Sequence, residues 1–329
     1  MSVPPKVIER LANLPFLKTS QGALLSRRTR FGIGGPAELY AETGEESTFM
    51  EAVKIARAGG AALTVVGDGT NLIVSDRGFP GIVLRYTAAG IHSSGDTVSV
   101  QAGAELQALV DHCIDHELQG IETMTGIPGS VGAAIYGNAG AYGHSMEERV
   151  RQVRFFDGSG IRVFTNPECE FRYRESIFKR HKEWVIFSAQ LRMDAGAGNG
   201  LRGKAAEILE IRTAKYPPSM KCAGSIFKNL LWADLPDAVR KQVPDRVIRE
   251  GKVPSAYFLE QVDAKGMRNG DIRVADYHAN LIYNAGQGTA RELCEIIGEL
   301  KTRVMARFGL KLEEEVQYVG FPANGSGGA

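Results

Sequence analysis

Glycine is concentrated in one part of this chain. Seven glycines fall between Gly120 and Gly143, in the segment GIETMTGIPGSVGAAIYGNAGAYG, and apolar residues are interleaved with them at irregular spacing. This pattern is neither collagen-like nor that of a low-complexity linker. Glycine lets the main chain approach another group closely or adopt a positive φ. We therefore expect an ordered, partly buried segment whose backbone lies close to something else.

A second glycine-containing loop, GDGTN at 67–71, directly follows the strand-like run ALTVV. Successive amides in such a turn can form a concave nest for phosphate oxygens, although the same residues are common in ordinary turns. Taken alone, the ordinary turn is the more frequent case. Two glycine-rich backbone segments in one domain favour a large planar ligand that carries phosphates. Flavin adenine dinucleotide (FAD) fits such a cradle.

Charge and composition exclude several classes of function. The chain has 39 Lys and Arg against 38 Asp and Glu in 329 residues, and this balance gives no support for nucleic-acid binding. No run of about 18 apolar residues is present, and the N-terminus lacks the apolar core of a signal peptide. We therefore expect a cytoplasmic protein without membrane insertion. Four cysteines without the spacing of a zinc site are expected to be reduced thiols: Cys113, Cys169, Cys222 and Cys294.

The hydrophobic pattern mixes strand-like and helical periods and so predicts an α+β fold. A helical run from Leu201 to Lys215 stops at a Tyr-Pro-Pro sequence, and a long helix is expected from Ala290 to Phe308. The small, glycine-rich residues 194–200 are the best candidate for a linker. An amphipathic stretch is expected near 234–250, and the tail PANGSGGA at 322–329 is expected to be disordered.

Two motifs that could indicate other chemistry are weak in this context. Residues 32–37, GIGGPA, match a dinucleotide-binding fingerprint, but Pro36 lies inside the motif and a strand-like run follows. A turn between strands is expected there. His112 and His116 have the i, i+4 spacing of zinc ligands on a helix, yet no third ligand is suggested. We expect a solvated helix face and no metal.

Three further segments are polar, and their spacing alone establishes no chemistry. YRES at 173–176 and AGSIFKN at 223–229 could each be a surface loop. The acidic run at 313–315 is by default a solvated stretch.

In chain order, these segments closely resemble the UDP-N-acetylenolpyruvoylglucosamine reductase family, the flavoenzymes of peptidoglycan precursor synthesis. The resemblance extends from about Thr29 to Gly320. The motifs that carry it are TRFGIGGPAELY (29–40), GDGTNLIVSD (67–76), GIPGSVGAAIYGNAGAYG (126–143), YRESIFK (173–179), AGSIFKN (223–229), YHANLIYNAG (277–286) and LEEEV (312–316).

The resemblance implies an α+β fold with an FAD-binding domain of the vanillyl-alcohol-oxidase (PCMH) type, followed by a smaller α+β substrate-binding domain. The implied boundaries are 1–88 and 89–211 for two FAD-binding subdomains, 212–320 for the substrate-binding domain and 321–329 for a flexible tail. We expect a monomer.

The resemblance also implies which residues hold the two ligands. The GDGTN loop looks like the pyrophosphate cradle, and residues 126–140 look like the wall along the flavin ring and ribityl chain. The positions carried over to FAD binding are Gly67, Asp68, Gly69, Thr70, Asn71, Leu72, Ile127, Pro128, Gly129, Ser130, Ala133, Gly140 and Arg212. The positions carried over to substrate binding are Tyr173, Lys215, Lys228 and Asn229.

For catalysis, the family pattern carries over to Arg174, Ser225 and Glu315. The resemblance implies that NADPH reduces a non-covalently bound FAD, and that hydride passes from flavin N5 to C3 of UDP-N-acetylglucosamine enolpyruvate, giving UDP-N-acetylmuramate. Arg174 would stabilise the negative charge that develops at C2 and its carboxylate. Ser225 would give its hydroxyl proton to C2 as a general acid. Glu315 would orient the same carboxylate or share a proton.

The sequence departs from the family pattern at three places. Leu230 stands where proline is common, and Gln317 stands where an arginine near the flavin is frequent. The segment 231–251 makes the chain longer here than in compact members of the family.

Two other functions stay open. One is an oxygen-using, FAD-dependent oxidase of the related fold that acts on another small substrate. Some such oxidases link flavin covalently to histidine, but no histidine lies within residues 120–143 and His144 is only at their edge, which weakens this alternative. The other is non-catalytic binding of flavin or a nucleotide sugar, which would be expected to lose one of the three catalytic positions.

Overall fold

The computed structural model describes residues 2–322. The predicted tail therefore lies outside the described residues from position 323 onward. Among the described residues, no helix is both long and apolar enough to cross a membrane.

The longer helices occur where the sequence periodicity predicts them, and those at 201–215 and 290–308 are confirmed. Residues 194–200 are not a linker, because they form a short strand and the first turn of a helix. The stretch 234–250 contains only short helical turns. The α-helices are α1 (Pro5–Ala12), α2 (Glu46–Ala58), α3 (Leu106–Asp115), α4 (Val131–Tyr136), α5 (Ile177–Arg180), α6 (Gly198–Lys215), α7 (Asp237–Arg240), α8 (Ser255–Glu260) and α9 (Ala290–Phe308).

The strands are interspersed with these helices and often follow one another directly. They are β1 (Lys18–Leu24), β2 (Pro36–Thr43), β3 (Leu63–Val66), β4 (Leu72–Val74), β5 (Phe79–Tyr86), β6 (Ile91–Ser94), β7 (Thr97–Gln101), β8 (Leu118–Gln119), β9 (Gly140–Ala141), β10 (His144–Ser145), β11 (Val150–Phe156), β12 (Ile161–Thr165), β13 (Val185–Arg192), β14 (Asp194–Ala195), β15 (Lys221–Ser225), β16 (Leu230–Leu231), β17 (Lys252–Val253), β18 (Arg268–Asn269), β19 (Ile272–Ala275), β20 (His278–Asn284) and β21 (Gln317–Val319).

The chain divides into two compact units, and the first contains residues up to Ala23, 37–68 and 80–218. It has a four-stranded sheet in the order β1-β2-β5-β3 and a five-stranded antiparallel sheet in the order β12-β11-β13-β7-β6. Edge-on aromatic contacts join its layers, since the ring centre of Phe49 on α2 lies 5.9 Å from that of Tyr86 on β5 and 5.6 Å from that of Phe187 on β13.

The second unit contains residues 24–36, 69–79 and the chain from Ser219 onward. Its main sheet has the order β15-β20-β19-β18, and β4 pairs in parallel with β21. The long helix α9 begins at a capping box formed by Thr289 and Glu292. The carboxylate of Asp76 also accepts hydrogen bonds from the first backbone N–H groups of this helix. The domain boundaries implied by the family resemblance (1–88, 89–211 and 212–320) divide the chain by function and not by compactness. They stay a prediction.

Candidate active site

In the first unit, the loop that follows β3 meets the start of α4. A Cβ at Gly67 would lie 2.9 Å from Ser130 Oγ and 3.4 Å from Ala133 Cβ, so glycine lets these two backbone segments come close. The Ser130 hydroxyl accepts a hydrogen bond from the Ala133 N–H at 3.4 Å and caps the helix. Three residues predicted to bind FAD therefore lie together.

The glycine-rich segment is held in place through its backbone. Val131 and Gly132 donate hydrogen bonds to the carbonyl oxygens of Ala104 and Ala102, each at 2.8 Å. A Cβ on Gly132 would lie only 2.8 Å from Ala102 Cβ, and Gly129 has a φ of +115°. The expectation of an ordered segment in close approach to another part of the chain is confirmed.

The end of α6 lies beside the same segment. A Cβ at Gly126 would lie 3.1 Å from Leu209 Cδ1 and 3.4 Å from Arg212 Cδ and Nε. Arg212 therefore runs along the main chain that leads into Ile127 and Pro128. A permanent cation is placed next to the residues predicted to form the flavin wall.

Asp68 is the acidic side chain of the GDGTN loop, and it is paired. Its carboxylate forms an ion pair with Arg85, whose guanidinium also lies 3.9 Å from Glu42. The pairing offsets a negative charge that would otherwise oppose the approach of a phosphate to this loop.

These groups fit the chemistry of FAD, which presents two phosphates and a flat ring system. The first unit offers a glycine backbone at Gly67, a hydroxyl at Ser130 and a cation at Arg212. Exposed backbone amides, hydroxyls and arginine are the usual partners of a protein-bound diphosphate.

Replacing Gly67 by valine is expected to weaken FAD binding about ten- to hundredfold. The new side chain would collide with Ser130 and Ala133, overpacking of this kind costs about 1–3 kcal/mol, and about 1.4 kcal/mol is a factor of ten. The dissociation constant is measured by flavin fluorescence during reconstitution of the apoprotein.

Gly203→Ala is the matched control, because a Cβ at that position meets nothing within 4 Å. Gly69→Val would not be a specific test of phosphate binding, because it would also distort the loop itself. A Cβ at Gly69 would overlap the carbonyl oxygen of Arg28, and the φ of Gly69 is +69°. A folded Gly67→Val protein that holds FAD as tightly as the control would contradict the proposed role of the loop.

Arg174 stands at the tip of a tight turn, with a φ of +57°. Arg172 and Glu175 close the turn by exchanging both backbone hydrogen bonds, each at 3.0 Å. Arg174 Nη2 donates to the carbonyl oxygen of Gly140 at 2.6 Å, and its Cζ lies 5.2 Å from the ring centre of Tyr173. Three positions carried over from the family are thus brought together.

Two buried residues that the sequence analysis did not single out hold this turn. Asn138 Nδ2 donates to the Arg172 carbonyl oxygen at 2.9 Å and to Glu147 Oε2 at 2.7 Å. The Ser176 hydroxyl donates to the carbonyl oxygen of Tyr136 at 2.7 Å. Both residues lie inside matched motifs, but no local periodicity distinguishes them from their neighbours.

Lys215, predicted to bind substrate, ends α6 one turn after Arg212. Both cations lie over the ring of Tyr216, at 5.0 Å from its centre for Lys215 Nζ and 5.6 Å for Arg212 Cζ. Contact with an aromatic face orders two long side chains that would otherwise be mobile.

In the second unit, the rest of the GDGTN loop leads into β4. Gly69 is buried with a positive φ, and Thr70 is half-buried. Asn71 Nδ2 donates to the carbonyl oxygen of Glu315 at 3.1 Å, and Leu72 then begins the strand. A residue predicted to bind FAD and one predicted to act in catalysis are therefore directly joined.

Ser225 and Glu315 are neighbours across a bridge between two chain segments. Phe227 pairs with Glu314 in an isolated antiparallel bridge, and the Glu315 N–H donates to the carbonyl oxygen of Ile226 at 2.8 Å. Ile226 directly follows Ser225, the last residue of β15. The motifs AGSIFKN and LEEEV thus meet in the fold.

The acidic run at 313–315 is not a uniformly solvated stretch, so that default interpretation is wrong. Glu313 is exposed and forms an ion pair with the buried ammonium of Lys228. Glu314 is 11% exposed and pairs with Lys301 at 2.9 Å. Glu315 is half-buried.

Lys228 and Asn229 lie in the chain just before the long segment 231–251. The Ser255 hydroxyl donates to the Lys228 carbonyl oxygen, and the Ser255 N–H donates to Asn229 Oδ1 at 3.4 Å. The segment is folded and buries apolar side chains in the core of the second unit, namely Leu235, Val239 and Val243.

Leu230 and Gln317, the two residues that depart from the family pattern, each make identifiable backbone contacts. Leu230 pairs with Val253 in the short ladder of β16 and β17, where a proline could not donate a backbone hydrogen bond. Gln317 begins β21, and its side-chain amide lies 3.4 Å from the carbonyl oxygens of Glu315 and Val316. The Gln317 side chain therefore contacts the backbone of the two residues that precede it.

Histidines and cysteines take no part in a metal site among the residues described. His112 and His116 stack with their ring centres 4.1 Å apart on α3, and no group of three ligand side chains occurs there. The cysteines are free thiols, and burial raises the pKa of Cys113 and Cys169 to about 12. A raised pKa disfavours the reactive thiolate.

Two protein families match this chain. The family described as FAD binding domain matches residues 37–166. The family described as UDP-N-acetylenolpyruvoylglucosamine reductase, C-terminal domain, matches residues 216–319.

Individual proteins extend the similarity over nearly the whole chain. The UDP-N-acetylenolpyruvoylglucosamine reductase of Solibacter usitatus is 62% identical, covering 94% of this chain and 100% of that protein. The reductase of Rubrobacter xylanophilus is 35% identical over 91% of this chain and 94% of its own length. The crystal structure of the reductase from Thermus caldophilus has a TM-score of 0.71 at 28% identity, covering 92% of this chain and 100% of that one. The predicted fold class is confirmed.

Proposed function

This chain belongs to the UDP-N-acetylenolpyruvoylglucosamine reductase family, and we propose that Arg174, Ser225 and Glu315 carry out its reaction. It is an FAD- and NADPH-dependent oxidoreductase of peptidoglycan synthesis that reduces UDP-N-acetylglucosamine enolpyruvate to UDP-N-acetylmuramate. Bound FAD supplies the hydride, which it receives from NADPH. The remaining chemistry falls to protein side chains.

FAD is held by the loop residues and the glycine-rich segment. The close packing of Gly67 on Ser130 and Ala133 and the position of Arg212 beside Gly126 support this assignment. The residues that hold FAD are Gly67, Asp68, Gly69, Thr70, Asn71, Leu72, Ile127, Pro128, Gly129, Ser130, Ala133, Gly140 and Arg212.

Arg174 stabilises the negative charge that develops on the substrate when C3 receives hydride. Its guanidinium is a planar cation, and the bond to Gly140 together with the buried anchor Asn138 pre-organises it. A charge that is already in position needs no reorganisation as the reaction proceeds.

Ser225 donates the proton to C2, and Glu315 orients the substrate carboxylate or shares that proton. The observation that carries this assignment is the hydrogen bond from the Glu315 N–H to the carbonyl oxygen of Ile226, because it joins Glu315 to the residue that directly follows Ser225. An alcohol is a weak acid, but the carbanion at C2 is a strong enough base to accept its proton, and correct placement lowers the barrier to that transfer.

Tyr173, Lys215, Lys228 and Asn229 bind the substrate. Lysine ammonium groups and an amide suit a nucleotide diphosphate. The pairing of Lys228 with the exposed carboxylate of Glu313 gives this cation a partner that a phosphate can replace. We further propose that the protein acts as a cytoplasmic monomer.

A spectroscopic experiment tests the function directly. Purified protein is expected to show oxidised-flavin absorption, to release its FAD on denaturation, and to be bleached by NADPH without oxygen. Anaerobic UDP-N-acetylglucosamine enolpyruvate should then restore the oxidised spectrum with formation of UDP-N-acetylmuramate. Restoration by oxygen alone, with no response to this substrate, would support an oxidase instead.

A further inference from the structure

Asn280, in β20, hydrogen-bonds a single residue of another segment through both the oxygen and the nitrogen of its side-chain amide. It is 2% exposed. Its Oδ1 accepts a hydrogen bond from the Phe227 N–H at 2.9 Å, and its Nδ2 donates to the Phe227 carbonyl oxygen at 2.8 Å. Its own carbonyl oxygen accepts from the Ile226 N–H at 3.1 Å.

The sheet needs this amide because β15 is irregular at its end. The pairing of β15 with β20 is regular from Lys221 to Cys222 and then shifts before Ser225, which lies opposite Leu281. Gly224, with a φ of +76°, occupies the shift. Beyond it, the amide of Asn280 bonds the backbone of Phe227 as a neighbouring strand would.

These contacts continue to the residues assigned to proton transfer. Ile226, bonded to the Asn280 backbone, accepts the hydrogen bond from the Glu315 N–H at 2.8 Å. Phe227, bonded to the Asn280 side chain, bridges to Glu314. Asn280 therefore lies next to the backbone that carries both Ser225 and Glu315.

We propose that Asn280 is a positioning residue for the transfer of the proton to the substrate. It holds the main chain directly after Ser225, at Ile226 and Phe227, where that segment is joined to Glu314 and Glu315. The proposal rests on the function assigned to Ser225 and Glu315 above. It adds a residue that touches neither substrate nor cofactor and acts through the backbone.

The same strand offers a matched control. Asn284 is also buried, at 4% exposure, and its amide is equally occupied. Its Nδ2 donates to the Phe31 carbonyl oxygen at 3.2 Å, and its Oδ1 accepts from the N–H groups of Gly286 and Gly288 at 3.0 and 2.9 Å. It lies opposite Lys221, at the other end of the β15 ladder. Its loss should disturb stability to a similar degree without moving Ser225.

The experiment compares Asn280→Ser with Asn284→Ser in the FAD-loaded enzyme, with melting temperature and flavin content recorded for both. Asn280→Ser is expected to slow the limiting rate of flavin reoxidation by UDP-N-acetylglucosamine enolpyruvate about 10- to 100-fold, the scale of a displacement near 1 Å. Flavin reduction by NADPH should stay within about twofold of the parent. Asn284→Ser should leave both half-reactions within the same margin.

Asn280→Gln keeps both hydrogen-bonding functions on a longer side chain and serves if Asn280→Ser does not fold. It is expected to slow reoxidation selectively. Parent-like reoxidation in either folded variant, or equal slowing in the Asn284→Ser control, would overturn the proposal.

A double variant separates this proposal from the function it rests on. In a Ser225→Ala background, Asn280→Ser should slow reoxidation much less than it does in the parent, because the group it positions is already missing. The same slowing in both backgrounds would refute action through Ser225. Failure of the parent enzyme to be reoxidised by this substrate would instead refute the proposed function.

Discussion

Arg174→Ala is expected to slow oxidation of the reduced flavin by the enolpyruvyl substrate by about 10²–10³-fold, the usual effect of losing one pre-organised donor to a developing anion. Reduction of the flavin by NADPH creates no enolate and should stay within a few-fold of the parent rate. Stopped-flow absorbance measures the two half-reactions separately. Arg174→Lys retains the charge but loses the planar fork of donors, so it should recover only part of the rate.

Arg172→Ala is the matched control for this experiment. Arg172 belongs to the same turn, and its side chain is exposed, while its contribution to the turn is made by its backbone. Flavin content is measured in all variants, because the Arg174 guanidinium also bonds the Gly140 carbonyl oxygen. Equal slowing of both half-reactions would identify Arg174 as a general support of the flavin site.

Ser225→Ala should slow reoxidation by the substrate about 10²-fold or more, which is the scale for loss of a general acid. The change removes one oxygen atom at a half-buried position, so packing and FAD content should be nearly unchanged. Reduction by NADPH requires no such acid and should proceed normally. The same stopped-flow traces provide the measurement.

Ser225→Cys is the informative companion, since a thiol is the stronger acid, with an ordinary pKa of about 8.5. It should restore part of the rate lost in Ser225→Ala. If Ser225→Ala is reoxidised as fast as the parent, the proton comes from another group, and Glu315→Gln becomes the next variant to measure.

The elements of this fold were predictable where their stabilising pattern is local. The helix α9 follows from apolar spacing and its Thr289–Glu292 capping box, both readable in the sequence. The helix α4 was not predicted, because its six residues are too few to show a helical period and its first N–H groups are held by distant carbonyl groups at Ala102 and Ala104. Residues 194–200 were misassigned for a similar reason, since β14 forms only by pairing with β8.

Residues of the candidate site were likewise predictable from local motifs but not where they depend on distant contacts. Family motifs singled out Arg174, Ser225 and Glu315, whose roles stay a prediction, although spacing alone could not separate their segments from surface loops. Asn138 and Asn280 escaped notice because an asparagine that bonds a distant backbone looks in sequence like any other asparagine. Only the fold reveals that each amide is buried and hydrogen-bonded to a distant backbone group.

The parallel pairing of β4 with β21 also imposes an order of events on the nascent chain. The Asn71 side chain and the Glu315 carbonyl oxygen that it bonds are 244 residues apart in sequence. Strands this distant can meet only late in folding, after nearly all of the chain has left the ribosome. A polypeptide that stops before Gln317 therefore lacks the partner strand of β4. The half of the GDGTN loop that leads into β4 would then continue into an unpaired strand, even if the first unit had folded completely.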